Sequence, residues 1–144
     1  MKSENSMLLS INALPQNESF IRSTVAAFCV QLNPTMEQIG DIKTAVSEAI
    51  TNAVVHAYSN EGGVIEIEVS LKGSVVKIVI SDKGKGIDDV QKAMQPFYTS
   101  SPVEERSGMG FTVMQAMMDT VKVESKAGKG TTVTLKKDMS VKDA

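Results

Sequence analysis

The sequence predicts an α+β fold: a two-layer α/β sandwich in which a mixed, mostly antiparallel sheet carries helices on one face. Three observations lead there. Apolar and polar residues alternate in five short stretches, four of which form two adjacent pairs joined by glycine-containing turns. Two runs of helical spacing stand side by side ahead of the first pair. A third stands just before the last pair, after a long irregular stretch.

The elements follow in order. Residues 7–13 alternate as a first strand that ends at Pro15. From Glu18 the period changes, and Ile21, Val25, Phe28, Cys29 and Leu32 form one helical stripe, stopped by Asn33 and Pro34. Thr35 and Gln38 have the spacing of a capping box, so a second helix starts there and runs to about Tyr58, with Ile39, Ile42, Val46, Ala49, Ile50, Ala53 and Ala57 on its core face. Ile65, Ile67, Val69 and Leu71 alternate with Glu66, Glu68 and Ser70, and residues 75–82 return after a turn at Gly73, giving a hairpin. Residues 88–94 suit a short helix. Residues 95–110 are long, polar and interrupted by Pro96 and Pro102, the profile of a functional lid. Helix resumes near Gly110 with Phe111, Met114, Met117 and Met118 inward, and residues 121–124 and 132–136 close as a second hairpin. Residues 1–136 are expected to be one domain, with 137–144 too polar to pack and therefore frayed.

Composition narrows the function. A chain of 144 residues can bury roughly 70% of its unfolded surface, enough for a core without cross-links. Fifteen lysines and arginines against seventeen acidic residues leave a net charge of −2, which offers no basic footprint for nucleic acid or an anionic membrane. No apolar run reaches the length of a spanning helix, and residues 1–10 do not have the order of a signal peptide. One cysteine, Cys29, sits in an apolar helical pattern, which points to a reduced core thiol and a cytoplasmic protein. With one Cys and one His, a zinc centre is excluded.

Three places have candidate chemistry. On the second helix, at 100° per residue from Val46, Glu48, Asn52 and His56 fall at about 200°, 240° and 280°, a polar stripe beside the core face. Such a stripe is either a solvated flank or, with a carboxylate and an amide one turn apart, a holder for a hydrated cation and a hydroxyl. Asp82 shares parity with Val76, Ile78 and Ile80, so its carboxylate closes an apolar row. It either caps the next turn or accepts from a donor such as a purine amine. The adjoining Gly84 and Gly86 would let backbone approach a flat ligand. Finally, Ser107-Gly108-Met109-Gly110-Phe111 runs into a helix, whose first amides suit a phosphate. The spacing fits neither a Rossmann fingerprint nor a Walker A loop.

Taken in order, Glu48-Ala49-Ile50-Thr51-Asn52, Asp82-Lys83-Gly84-Lys85-Gly86, Pro96-Phe97-Tyr98-Thr99-Ser100, Ser107-Gly108-Met109-Gly110-Phe111 and Gly128-Lys129-Gly130-Thr131-Thr132 resemble the successive boxes of the GHKL ATPase/kinase superfamily, which has the Bergerat nucleotide-binding fold. Within it, residues 47–58 and 96–119 resemble the anti-sigma-factor serine kinases. The resemblance implies ATP or ADP with Mg²⁺ as cofactors. It implies that Asn52 ligates Mg²⁺, that Glu48 is the base or orienting acceptor for a substrate hydroxyl, and that Arg106 neutralises the transferring phosphoryl group. Asp82, helped by Thr131 through water, would read adenine, with Gly84 and Gly86 lining the base. Thr99 would belong to the lid, and Ser107, Gly108 and Gly110 would meet phosphates. The implied partners are a sigma factor of RNA polymerase, an anti-anti-sigma protein phosphorylated on serine, and a second copy of the chain. Arg22, beside the first helical stripe, is either a docking charge for a partner or an ordinary solvated arginine. Two functions stay open: a protein-serine kinase, of the sporulation or the general-stress kind, and a sigma-binding module gated by ATP without catalysis.

Overall fold

The computed structural model describes residues 4–87, 89–94 and 110–140. Their order is β1 (Glu4–Asn12), α1 (Glu18–Cys29), α2 (Met36–Thr51), β2 (Val64–Lys72), β3 (Val75–Asp82), α3 (Val90–Ala93), α4 (Gly110–Met117), β4 (Thr120–Lys126) and β5 (Gly130–Asp138). The strands form one sheet in the order β1-β2-β3-β5-β4, and all four adjacent pairs are antiparallel, so the expected mixture reduces to one direction rule.

Register makes the sheet two-sided. Leu9, Ile67, Ile80, Val133 and Val123 stand opposite one another along one row, and Met7, Val69, Ile78, Leu135 and Val121 along the next. These rows face the helices, and Ile67, Val69, Ile78 and Leu135 are fully or almost fully buried. Glu66 and Glu68 on the alternate positions are exposed, as period-2 patterning requires. Helices α1 and α2 cover the sheet with Ile21, Val25, Cys29, Ile42, Val46 and Ile50, all at 0% exposure. The capping box at the start of α2 is present in both directions: Gln38 N–H donates to Thr35 Oγ1 at 3.0 Å, and Thr35 N–H donates to Gln38 Oε1 at 2.9 Å. Before it, the chain leaves α1 through a short 3₁₀ turn that ends with Asn33 in the left-handed region at φ 51°.

One boundary is corrected. Lys137 and Asp138 belong to β5 rather than to a frayed tail, and Met139 beyond them is 1% exposed. The polarity that suggested fraying is satisfied internally. Lys137 lies opposite Val76 on the helix side of the sheet, and its Nζ donates to the Met117 carbonyl at 2.8 Å. Asp138 Oδ1 accepts from Ser74 Oγ at 2.7 Å. Among the described residues no helix is long and apolar enough to cross a membrane.

Candidate nucleotide site

The site starts where α2 stops being an α-helix. At Asn52 the chain widens into a π-helical turn, Asn52–Ala57, in which Tyr58 N–H donates to the Ala53 carbonyl five residues back at 3.1 Å. Three consecutive side chains, Ala53, Val54 and Val55, are buried there, which a regular 3.6-residue stripe does not achieve. Glu48 and Asn52, one turn apart and half-buried, both point at the first residue of α4. A methyl group on Gly110 would stand 3.4 Å from Asn52 Oδ1 and 3.4 Å from Glu48 Oε1. An acid, an amide and the amino end of a helix thus meet around a small space kept open by a glycine. The helix end supplies unpaired N–H groups and positive potential, Asn52 a neutral oxygen, and Glu48 a proton acceptor. His56, expected on the same stripe, falls within the π-turn, and its Nδ1 lies buried.

The second half lies at the end of the same sheet face. Asp82 closes the row of Val76, Ile78 and Ile80 as parity requires, and it also caps the following turn. Its Oδ1 accepts from Gly84 N–H at 2.9 Å and from Thr131 N–H at 3.2 Å. Burial pushes the carboxyl above its ordinary value, against the lowering effect of those two amides. Oδ2 receives no hydrogen bond from the described residues, which leaves an acceptor for a ligand.

Close packing explains the glycines. A Cβ on Gly84 would collide with the Ala57 carbonyl oxygen, and one on Gly130, at φ +96°, would collide with the Asp82 carbonyl oxygen. Gly86, at φ +77°, is pressed in the same way against the Lys126 carbonyl oxygen. Loop 82–86 is thereby wedged between the end of the π-turn and the β4–β5 hairpin.

Thr131 is 8% exposed, and its hydroxyl lies 2.8 Å from Ser125 Oγ. Ser125 Oγ also donates to the Gly130 carbonyl at 2.9 Å and accepts from Ile87 N–H at 2.8 Å. With the single Ser125 proton directed to Gly130, Thr131 must be the donor to Ser125, so the lone pairs of Thr131 are those available to a ligand or water. The sequence reading missed Ser125. Its parity with Val121 and Val123 on β4 would have indicated an inward hydroxyl. It missed Tyr58 as well, whose hydroxyl donates to the Val64 carbonyl at 2.8 Å and accepts from Lys83 N–H at 2.7 Å.

Arg22 stands apart from this space. Its guanidinium lies 3.2 Å from Glu18 Oε2, and its two terminal nitrogens reach Ser47 Oγ and Ser19 Oγ, both at 3.3 Å. Ser47 in turn donates to Glu18 Oε2 at 2.5 Å. The arginine is therefore tied to α2 one residue before Glu48 rather than freely solvated. Thr99, Arg106, Ser107 and Gly108, and with them the expected lid, lie outside the described residues.

These features define a class. Residues 11–137 match the family described as the histidine kinase-like ATPase domain, and the chain belongs to it. The fold agrees with solved structures of low identity. The RsbU and RsbW domains of a Mycobacterium tuberculosis protein align with a TM-score of 0.67 at 20% identity, over 94% of this chain and 32% of that one. The histidine kinase domain of the E. coli osmosensor EnvZ aligns with a TM-score of 0.50 at 19% identity, over 83% and 87%. Within the class, the chain belongs to the anti-sigma F factor family. It is 53% identical over 137 residues to the anti-sigma F factor of Thermoanaerobacter sp. strain X514, covering 95% of this chain and 96% of that one. It is 51% identical over 138 residues to that of Clostridium acetobutylicum, covering 96% of each.

Proposed function

We propose that this chain is an ATP-dependent anti-sigma factor that sequesters a sporulation sigma factor and phosphorylates a serine of an anti-anti-sigma antagonist. The observation that carries the reading is the meeting of Glu48, Asn52 and Gly110 at the amino end of α4, with the Asp82 acceptor held by the Gly84 amide, where Gly84 packs on Ala57 at the end of the π-turn. The relatives' name supports the sigma-factor partner, and the family supports ATP as the nucleotide.

The donor set fits Mg²⁺. Among the described residues no three His, Cys, Asp or Glu side chains converge, so a cation here would take the Asn52 oxygen and draw its other ligands from phosphates and water, as Mg²⁺ does in phosphoryl-transfer sites. Bound there, it would neutralise phosphate charge as the terminal group departs. In this reading Asp82 Oδ2 accepts the adenine amine, and Thr131 accepts from the same edge through water. Gly84 and Gly86 lie along the base, and Gly110, with Ser107 and Gly108 before it, donates amides to the phosphates. Glu48 takes the proton of the incoming serine hydroxyl. The serine Oγ–phosphorus bond forms, the bond from phosphorus to the bridging oxygen breaks, and ADP leaves. Arg106 balances charge on the transferred group, and Thr99 belongs to the lid. The working unit is a homodimer in the cytoplasm, with Arg22 at a partner-docking face.

The test is Glu48→Gln, assayed on one preparation for phosphate transfer to an anti-anti-sigma protein and for sigma capture with ATP or ADP. The expected result is loss of transfer with nucleotide binding and capture nearly intact. Transfer at the wild-type rate would return Glu48 to a solvated flank. A wild-type chain that captures sigma with ATP yet never transfers phosphate would establish the non-catalytic module instead.

A further inference from the structure

Two consecutive residues at the end of the π-turn grip three consecutive residues of the loop after Asp82. The Ala57 carbonyl accepts from Lys85 N–H at 3.0 Å and closes on Gly84, while the Tyr58 hydroxyl accepts from Lys83 N–H at 2.7 Å. That hydroxyl is itself held, because it donates to the Val64 carbonyl at 2.8 Å. The ring is held too: a Cβ on Gly63, at φ +157°, would stand 2.5 Å from Tyr58 Cε1 and Cζ. Tyr58 therefore joins the helix end, the first residue of β2 and the loop that carries Gly84, whose amide fixes Asp82 Oδ1.

An ionised carboxylate is an acceptor only. It can take a hydrogen bond from the exocyclic amine of adenine, and equally from the ring N–H and amine of guanine. The chemistry of Asp82 does not choose between the purines; its position relative to the ring does. Selection thus depends on what holds the loop still. We propose that the Tyr58 hydroxyl is the positioning group that sets purine selectivity at Asp82, an inference that rests on the nucleotide-site reading above. Both hydrogen bonds of the hydroxyl lie on the exposed side of the loop, so water can replace them when the oxygen is removed, and the fold survives while the loop loses its anchor.

The experiment compares ADP and GDP dissociation constants and the unfolding midpoint for the full chain, Tyr58→Phe, Tyr58→Leu and Asp82→Asn. In Tyr58→Phe the preference for ADP over GDP should fall about fivefold, the worth of one neutral hydrogen bond, with the midpoint little changed. Tyr58→Leu should lose the same share of selectivity and also stability, because it gives up the ring against Gly63. Wild-type selectivity in Tyr58→Phe, whether or not the midpoint falls, would overturn the role and leave the site reading standing, provided Asp82→Asn weakens ADP. Equal binding of ADP and GDP by the wild type, or ADP binding untouched by Asp82→Asn, would instead remove the site reading and this inference with it.

Discussion

Lys137 Nζ donates to the carbonyl oxygen of Met117 at 2.8 Å, at the last residue of α4, and lies 3.4 Å from Asp41 Oδ2 on α2. A helix ends with unpaired carbonyls and negative potential, and a cation there satisfies both. The lysine is only 12% exposed, so this pair is better shielded than a surface ion pair. It fixes the far end of the helix whose near end meets Glu48 and Asn52.

Lys137→Met keeps the stem and removes the charge. It should cost about 1–3 kcal/mol, since it orphans the Met117 carbonyl and leaves Asp41 without its partner. Urea unfolding of Lys137→Met, Asp41→Asn and the double variant measures this. The double variant should be less destabilised than the sum of the singles; strict additivity would show that the two side chains do not interact.

Gly110→Ala tests the space at the other end of α4. The added methyl makes ordinary contacts at 3.4 Å, so the unliganded fold should be unchanged or gain up to about 1 kcal/mol from helix propensity. The same methyl occupies the gap that a phosphate would enter. The thermal shift caused by Mg²⁺ and ADP should therefore be lost, and a wild-type shift would move the phosphates elsewhere.

Asp82→Asn separates stability from binding. Burial raises the carboxyl of Asp82 above its ordinary value of 3.8, so the group favours the fold when protonated, and that contribution is lost as pH rises through its folded titration. Asparagine keeps an oxygen for the Gly84 and Thr131 amides without the charge. The variant should melt higher than the wild type at pH 7 without nucleotide, by a margin that shrinks as pH is lowered toward 3.8. It should bind adenine nucleotides more weakly. A pH-independent margin would assign the gain to packing.

Cys29 reports opening of the whole core. It is 0% exposed, and burial pushes its thiol up to about 12 from 9.0, so it should resist thiol reagents until the chain unfolds. The same shift predicts stability that declines as pH rises above 9.0, where the unfolded thiol ionises first. Labelling in denaturant should slow about 100-fold when Mg²⁺ and ADP are present at about 100 times their dissociation constant, equivalent to about 2.7 kcal/mol. Labelling at the same rate with and without nucleotide would mean that none is bound.

Local rules were legible in the sequence wherever one rule governs the outcome. The Thr35–Gln38 box, the short turn at Gly73, and the inward parity of Asp82 each follow from spacing alone. Glu48 and Asn52 were found because the α-helical count holds as far as Asn52. His56 lies within the segment that widens, where a count at 100° per residue no longer applies. Lys137 was misjudged because its partners, Met117 and Asp41, are distant in sequence and a polar residue is mute about a buried carbonyl. Ser125 and Tyr58 carry no motif: their importance arises only when β5 and loop 82–86 are brought against them.

The π-turn also makes this part of the molecule sensitive to how the segment is wound. Rewinding the same six residues as regular α-helix would turn everything after them by about 100° and push it about 1.5 Å further along the axis. Asn52 would keep its place against α4, while Ala57 and Tyr58 would swing away from the loop they grip. Substitutions that keep the widened turn change packing by degrees, but losing the turn uncouples the two ends of the site in a single step.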